Sequence, residues 1–166
     1  MKKLIALILS SSFYLVPAYA QQFEELTAEE VQNLRPILSQ SIYNIFAAGN
    51  IGSAVAVSGE MALTACQLLW SVIARPAQLV GIDTFRDVCA LQIKTAMPAD
   101  SGQVQVIELA TRVVQQNDVV YALGNSRGRR SLSKGRITAI YDLPFGKVYQ
   151  TSSRFSPGAS GGAILD

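Results

Sequence analysis

The stretch Ser156-Pro157-Gly158-Ala159-Ser160-Gly161-Gly162-Ala163 sets Ser160 among three glycines near the C-terminal end of a 166-residue sequence. Glycine adopts positive φ without a Cβ clash, so the backbone on either side of Ser160 is free to bend and aim neighbouring N–H groups at one point. Such a point stabilises the oxyanion of an acyl transfer, and the hydroxyl beside it attacks once a base takes its proton. In most sites of this kind the base is an imidazole. The sequence contains no histidine.

Upstream, short runs rich in Val, Ile and Tyr alternate with Gly, Pro, Asn and Asp. They predict strands over 41–47, 52–58, 61–64, 71–75, 78–82, 88–93, 104–109, 119–123, 135–141, 147–151 and 162–165. Many short strands at close spacing indicate an all-β sandwich or barrel. Met97-Pro98-Ala99-Asp100-Ser101-Gly102 is the one internal boundary and splits the strands into two groups. Ahead of them, Thr27-Ala28-Glu29-Glu30 has capping-box spacing, and Val31, Leu34, Ile37 and Leu38 recur at helical intervals. A short helix is expected to stop near Ser39, with Pro36 ending it early or kinking it.

At the N-terminus, Lys2 and Lys3 precede an apolar run from Leu4 to Val16, and Ala18-Tyr19-Ala20 supplies small residues for a cleavage site. This is the pattern of a secretory signal peptide cleaved after Ala20, and the run falls short of the ~20 residues a membrane-spanning helix needs. No later stretch is long and apolar enough to span, so no membrane partner is expected after cleavage. Loss of Lys2 and Lys3 removes the excess of 14 Lys+Arg over 12 Asp+Glu and leaves a neutral mature chain. Neutrality gives no electrostatic warrant for a nucleic-acid partner. The cluster Arg127, Arg129, Arg130, Lys134 and Arg136 surrounds Gly128 without interleaved aromatics and is expected to be a solvated loop. No metal or cofactor is expected. In an exported protein the two cysteines, Cys66 and Cys89, suggest a disulfide that would stabilise the fold by roughly 3 kcal/mol, the alternative being two buried thiols.

Four segments occur in the order seen in trypsin-like serine peptidases, and the chain resembles the bacterial periplasmic, HtrA-like branch of that family. Gly52-Ser53-Ala54-Val55-Ala56-Val57 resembles the opening hairpin, and Leu63-Thr64-Ala65-Cys66-Gln67-Leu68-Leu69 the catalytic-histidine segment. Arg86-Asp87-Val88-Cys89-Ala90-Leu91 resembles the segment that supplies the aspartate. The runs 122–128, 133–137 and 149–151 then lead into the Ser160 segment. The resemblance implies a trypsin-like double β-barrel preceded by a short N-terminal helix. It further implies Ser160 as nucleophile, Asp87 as the group that orients the base, and the amides of Gly158 and Ser160 as the oxyanion hole. A Cys66–Cys89 disulfide would staple the two segments that must meet there. With the leader, it also implies a periplasmic or secreted location.

Two departures matter. Gln67 stands where the family has its histidine, and a carboxamide neither gains nor gives up a proton near neutral pH. None of Lys94, Lys134 and Lys147 has a spacing that marks it as a substitute base. Asp87, with no imidazole to orient, is open to the role of a loop carboxylate paired with Arg86. Family members also continue past the serine strand, so the second barrel is expected to be incomplete, with an unpaired edge strand. The expected organisation is a signal over 1–20, a helical segment over 21–40, a first barrel over 41–97 and a partial second barrel over 98–166. The functional expectation is a catalytically inactive peptidase homologue, either a pseudopeptidase or the truncated remnant of a degraded gene, whose role, if one is retained, is binding of unfolded or extended polypeptide. The alternatives are an active serine endopeptidase with a non-histidine or trans-supplied base, and a purely structural β domain. The sequence assigns no oligomeric state.

Overall fold

Alternation of side chains along a strand gives each strand two faces, and in this chain the central strands bury both. The computed structural model describes residues 2–7, 24–47, 49–69, 77–93 and 104–166. In chain order it contains β1 (Leu4–Leu7), α1 (Ala28–Ser41), β2 (Ile42–Ala47), β3 (Asn50–Ala56), β4 (Met61–Ala65) and a 3-10 turn over Cys66–Leu69. These are followed by β5 (Ala77–Asp83), β6 (Val88–Ile93), β7 (Val119–Ser126), β8 (Arg129–Leu143), β9 (Gly146–Thr151) and β10 (Ala163–Leu165). One antiparallel sheet has the order β2-β3-β4-β6-β5 and the other β1-β10-β7-β8-β9. Among the described residues neither sheet closes on itself.

β3 and β7 show why the sheets stay together. On β3, Ala54 packs with Ile45, Ala62 and Leu91 inside the first sheet. The next residue, Val55, faces the other way and joins Leu123, Leu165, Ile107 and the helix residues Leu34, Ile37 and Leu38. On β7, Tyr121 and Leu123 face that same shared core, while Val120 and Ala122 pack with Ile137 and Ile164 in the second sheet. The period of two thus assigns consecutive residues to different cores. Each Leu, Ile or Val so buried contributes about 1.5–3 kcal/mol.

The helix begins as its sequence predicts. Thr27 Oγ1 accepts from the Glu30 amide at 3.2 Å, and Glu30 Oε2 accepts from the Thr27 amide at 2.8 Å. Its end differs: α1 runs through Pro36 to Ser41, and its interior proline neither stops it near Ser39 nor ends it early. Burial explains this, because Ile37, Leu38 and Ser41 all lie in the interior and Ser41 Oγ donates to Gln105 O at 2.5 Å. The basic cluster also differs from a solvated loop in part. Lys134 Nζ lies 2.8 Å from Glu30, Arg136 pairs with Glu24, and Arg130 donates to Ser39 O at the helix end.

Other expectations need correction. The run 104–109 forms no strand: Ile107 alone is fully buried, its amide donates to Ala56 O at 3.1 Å, and Leu109 makes an isolated bridge to Leu4. One buried residue in the run anchors it without committing it to a ladder. β8 is longer than predicted because its polar first half, Arg129–Arg136, pairs residue for residue with β7. In the full chain β1, which lies within the expected leader, pairs with β10, Leu4 opposite Leu165 and Leu7 opposite Ala163. The strand predicted over 71–75 lies outside the described residues.

Glu30 binds the Lys134 ammonium, the Tyr121 hydroxyl (2.6 Å) and the Thr27 amide, and these hold its carboxyl at a pKa of about 2, below the ordinary 4.5. Burial, and then Glu30 itself, push the Tyr121 phenol up to about 12. A depressed carboxyl contributes stability that is complete above its ordinary pKa and lost as pH falls through the folded value, here between about 4.5 and about 2. Glu30→Gln is therefore expected to lower stability by about 1–2 kcal/mol at pH 7 and by clearly less at pH 3, in urea unfolding followed by circular dichroism.

Candidate functional site

Strand β4 runs directly into the 3-10 turn that carries Cys66 and Gln67, and Asp87 closes the β5–β6 turn just before β6. Pairing of β4 with β6 sets Ala65 opposite Val88 and Thr64 opposite Cys89, so the two segments leave the sheet side by side. Three links then fasten them. Cys66 and Cys89 form the expected disulfide, with Cα atoms 4.9 Å apart. The Cys66 amide donates to Asp87 O at 3.2 Å, and the Gln67 amide donates to Asp87 Oδ1 at 2.9 Å. Asp87 takes a φ of 53°, a conformation that aspartate tolerates better than most residues. The pairing with Arg86 does not occur: Arg86 binds Asp83 at 2.5 Å and holds the Asp83 carboxyl below its usual range.

The Ser160 turn reaches this place from the other sheet. Gly158 has a φ of +100° and Gly161 a φ of +81°. A Cβ on Gly161 would lie 2.2 Å from Ser53 O, 2.5 Å from Thr64 Oγ1 and 2.9 Å from the Ala65 amide. Only glycine combines that φ with so close an approach. The turn therefore rests on the end of β4, two residues before Gln67. The Ser160 carbonyl accepts from the Ser53 amide at 2.8 Å, and the Gly158 carbonyl accepts from Ser53 Oγ at 2.8 Å. Ser160, Gln67 and Asp87 are each half-buried, accessible at a junction between the sheets.

Ser53 is the residue that sequence reasoning missed. It is fully buried; besides the two bonds to the serine turn, its Oγ accepts from the Asn125 amide at 2.8 Å and its carbonyl accepts from Thr64 Oγ1 at 2.7 Å. One small side chain thus positions the serine turn, the end of β7 and β4 together. The sole signal in the sequence is a serine at the start of the apolar run Ala54-Val55-Ala56-Val57, which does not by itself separate a hub from a core hydroxyl.

Of the lysines weighed as substitute bases, Lys134 is held by Glu30 and Glu24. Lys147 is paired with Asp142, whose hydrogen bond raises the lysine pKa further. A lysine base requires the opposite, a depressed pKa in an apolar site. Lys94 lies outside the described residues. The chemistry assembled here is a hydroxyl on a glycine-bent turn and a carboxylate bound to the main-chain amide of a glutamine.

The sequence profile described as the trypsin-like peptidase domain matches residues 52–166. Comparison with curated proteins gives no match. Among solved structures, the chain is similar to the serine endoprotease from Yersinia pestis, with a TM-score of 0.65 and 24% identity over 84% of this chain and 54% of that one. It is also similar to the HtrA-type protease AlgW solved with a tripeptide, with a TM-score of 0.60 and 23% identity over 78% of this chain and 49% of that one. A third, the Rv3671c protease of M. tuberculosis in its inactive form, has a TM-score of 0.60 and 19% identity over 82% of this chain and 78% of that one. At these identities the likeness is one of fold. The chain spans about half the length of the first two.

Ser53→Ala removes the donor to Gly158 O and the acceptor of the Asn125 amide, leaving one part-buried and one buried backbone group without that partner. It is expected to lower stability by about 2–4 kcal/mol, read as a shift in the denaturant midpoint at constant slope. Reduction of the Cys66–Cys89 disulfide, which closes a separation of 23 residues, is expected to cost roughly 3 kcal/mol in the same measurement.

Proposed function

Because residues 52–166 make this chain a member of the trypsin-like peptidase family, we infer that it is an exported homologue that has kept the framework of the site and lost its catalysis. The carrying observation is that Asp87 Oδ1 accepts from the main-chain amide of Gln67 in a chain with no histidine. Asp87 is thereby held in place, and the residue that binds it is a glutamine. Ser160 in this reading is the former nucleophile, and the Gly158 and Ser160 amides are the donors of the former oxyanion hole.

Loss of the base alone accounts for inactivity. Removing the histidine of subtilisin, a different serine protease, lowers turnover by about 10⁶. A carboxamide cannot take the hydroxyl proton and later return it to the leaving amine. Export is supported by Lys2 and Lys3 before the apolar run and by Ala18-Tyr19-Ala20. The retained role is binding of unfolded or extended polypeptide, for which a sheet architecture that accepts an added strand is suited.

Incubation of the full chain with unfolded casein, beside Gln67→His and Ser160→Ala variants, tests this reading. No Ser160-dependent cleavage is expected from the native sequence, with casein retained on immobilised protein. Cleavage by the native chain that Ser160→Ala abolishes would overturn it.

A further inference from the structure

The edge of β10 is filled by the chain's own first residues, and the contacts around them form a slot with polar and apolar ends. Leu4 is paired on both sides. It lies antiparallel to β10, opposite Leu165, and parallel to the segment at Leu109. Its amide donates to Glu108 O at 2.8 Å and its carbonyl accepts from the Ala110 amide at 2.7 Å. Its side chain is 4% exposed and belongs to the core shared with Leu34, Ile37, Leu123 and Leu165. A strand seated between two backbones, with a leucine in the main core, is bound by the same interactions that hold a native strand.

The residues before it read charge. The Lys3 amide donates to Asp166 Oδ1 at 2.9 Å, and its carbonyl accepts from the Asp166 amide at 3.1 Å. Lys3 Nζ lies 3.8 Å from Glu108 Oε2, and Lys2 Nζ sits 4.6 Å from the centre of the Tyr121 ring. Arg112 Nε, at 2.7 Å from Asp166 Oδ2, fixes that carboxylate from its other side. Burial works against the Asp166 charge, yet Arg112 and the Lys3 amide hold its pKa below the usual range.

Residues 2–7 also fall within the segment that the leader pattern marks for removal after Ala20. The strand that fills the slot is thus one that export processing takes away. We propose that the gap between β10 and residues 108–110 is a strand-binding site for an extended segment in which two basic residues precede a large apolar one, filled in cis by Lys2-Lys3-Leu4 until processing opens it. This rests on the polypeptide-binding reading above and names its site and its ligand. The pattern is the chemistry of an N-terminal export leader, so an unprocessed copy of this chain is the occupant the site fits.

The test uses the full chain and a fluorescent Lys-Lys-Leu-Ile-Ala-Leu peptide. Leu4→Asp places a charge in the core and is expected to eject the resident strand. Because the native chain competes with its own strand, the peptide is expected to bind the variant at least roughly tenfold more tightly than the native chain. Its thermal midpoint is expected to rise on binding, while a peptide with aspartate in place of the first leucine binds neither protein. Equal affinity for both proteins, or no binding to a folded Leu4→Asp chain, overturns the proposal. Should casein still be retained in that case, the slot falls and the broader binding reading stands. If Leu4→Asp does not fold, hydrogen exchange on the native chain decides. The amides of Leu4, Ala110 and Asp166 are expected to exchange about 100-fold or more below unstructured rates, yet faster than Val120 in the core. Unprotected amides at those three positions overturn it.

Discussion

The structure depends on one close approach, that of Gly161 to Ser53 O, Thr64 Oγ1 and the Ala65 amide. There the serine turn of one sheet lies directly on the strand end of the other, with no room for a side chain between them. The turn is kept in that position by the Ser53 amide and hydroxyl, which bond the Ser160 and Gly158 carbonyls. Packing then distributes the constraint, because β3 and β7 each send alternate residues into the shared core. Without that contact the two sheets would share a hydrophobic core but no site.

Framework and proton chemistry are separable in this molecule. The disulfide, the amide bonds to Asp87 and the bent turn at Ser160 are all backbone or cross-link features that do not ask for an imidazole. Substituting glutamine at position 67 leaves every one of them in place, since Gln67 uses its main-chain amide to meet Asp87. On the proposed reading the framework persists while the Ser160 proton has no acceptor. The two described lysines weighed as substitute bases are spent on structure, Lys134 on the helix cap and Lys147 on Asp142.

Much of this was legible beforehand, and the reasons differ by element. Strand β6 and the start of α1 follow from local signals alone, the first from an apolar run between turns and the second from Thr27 and Glu30 at capping distance. The disulfide follows from two cysteines in a chain with an export leader, and the meeting of the Gln67 and Asp87 segments from the family resemblance. What escaped was nonlocal. Pro36 is accommodated because tertiary burial of Ile37 and Leu38 outweighs one missing hydrogen bond, and residues 104–109 lose their strand because only Ile107 finds a core. Ser53 as hub and Leu4 as core residue depend on partners more than 70 residues away, such as Asn125 with a separation of 72, and no local pattern encodes them.

The central claim is that the Ser160 hydroxyl lies among suitable donors and lacks a group to accept its proton. Its most direct measurement is the rate at which a fluorophosphonate modifies Ser160 in the native chain, followed by intact mass and located by peptide mapping. The account predicts modification no faster than that of an ordinary exposed serine. Stoichiometric labelling of Ser160 within minutes, with Gln67 in place, would contradict it.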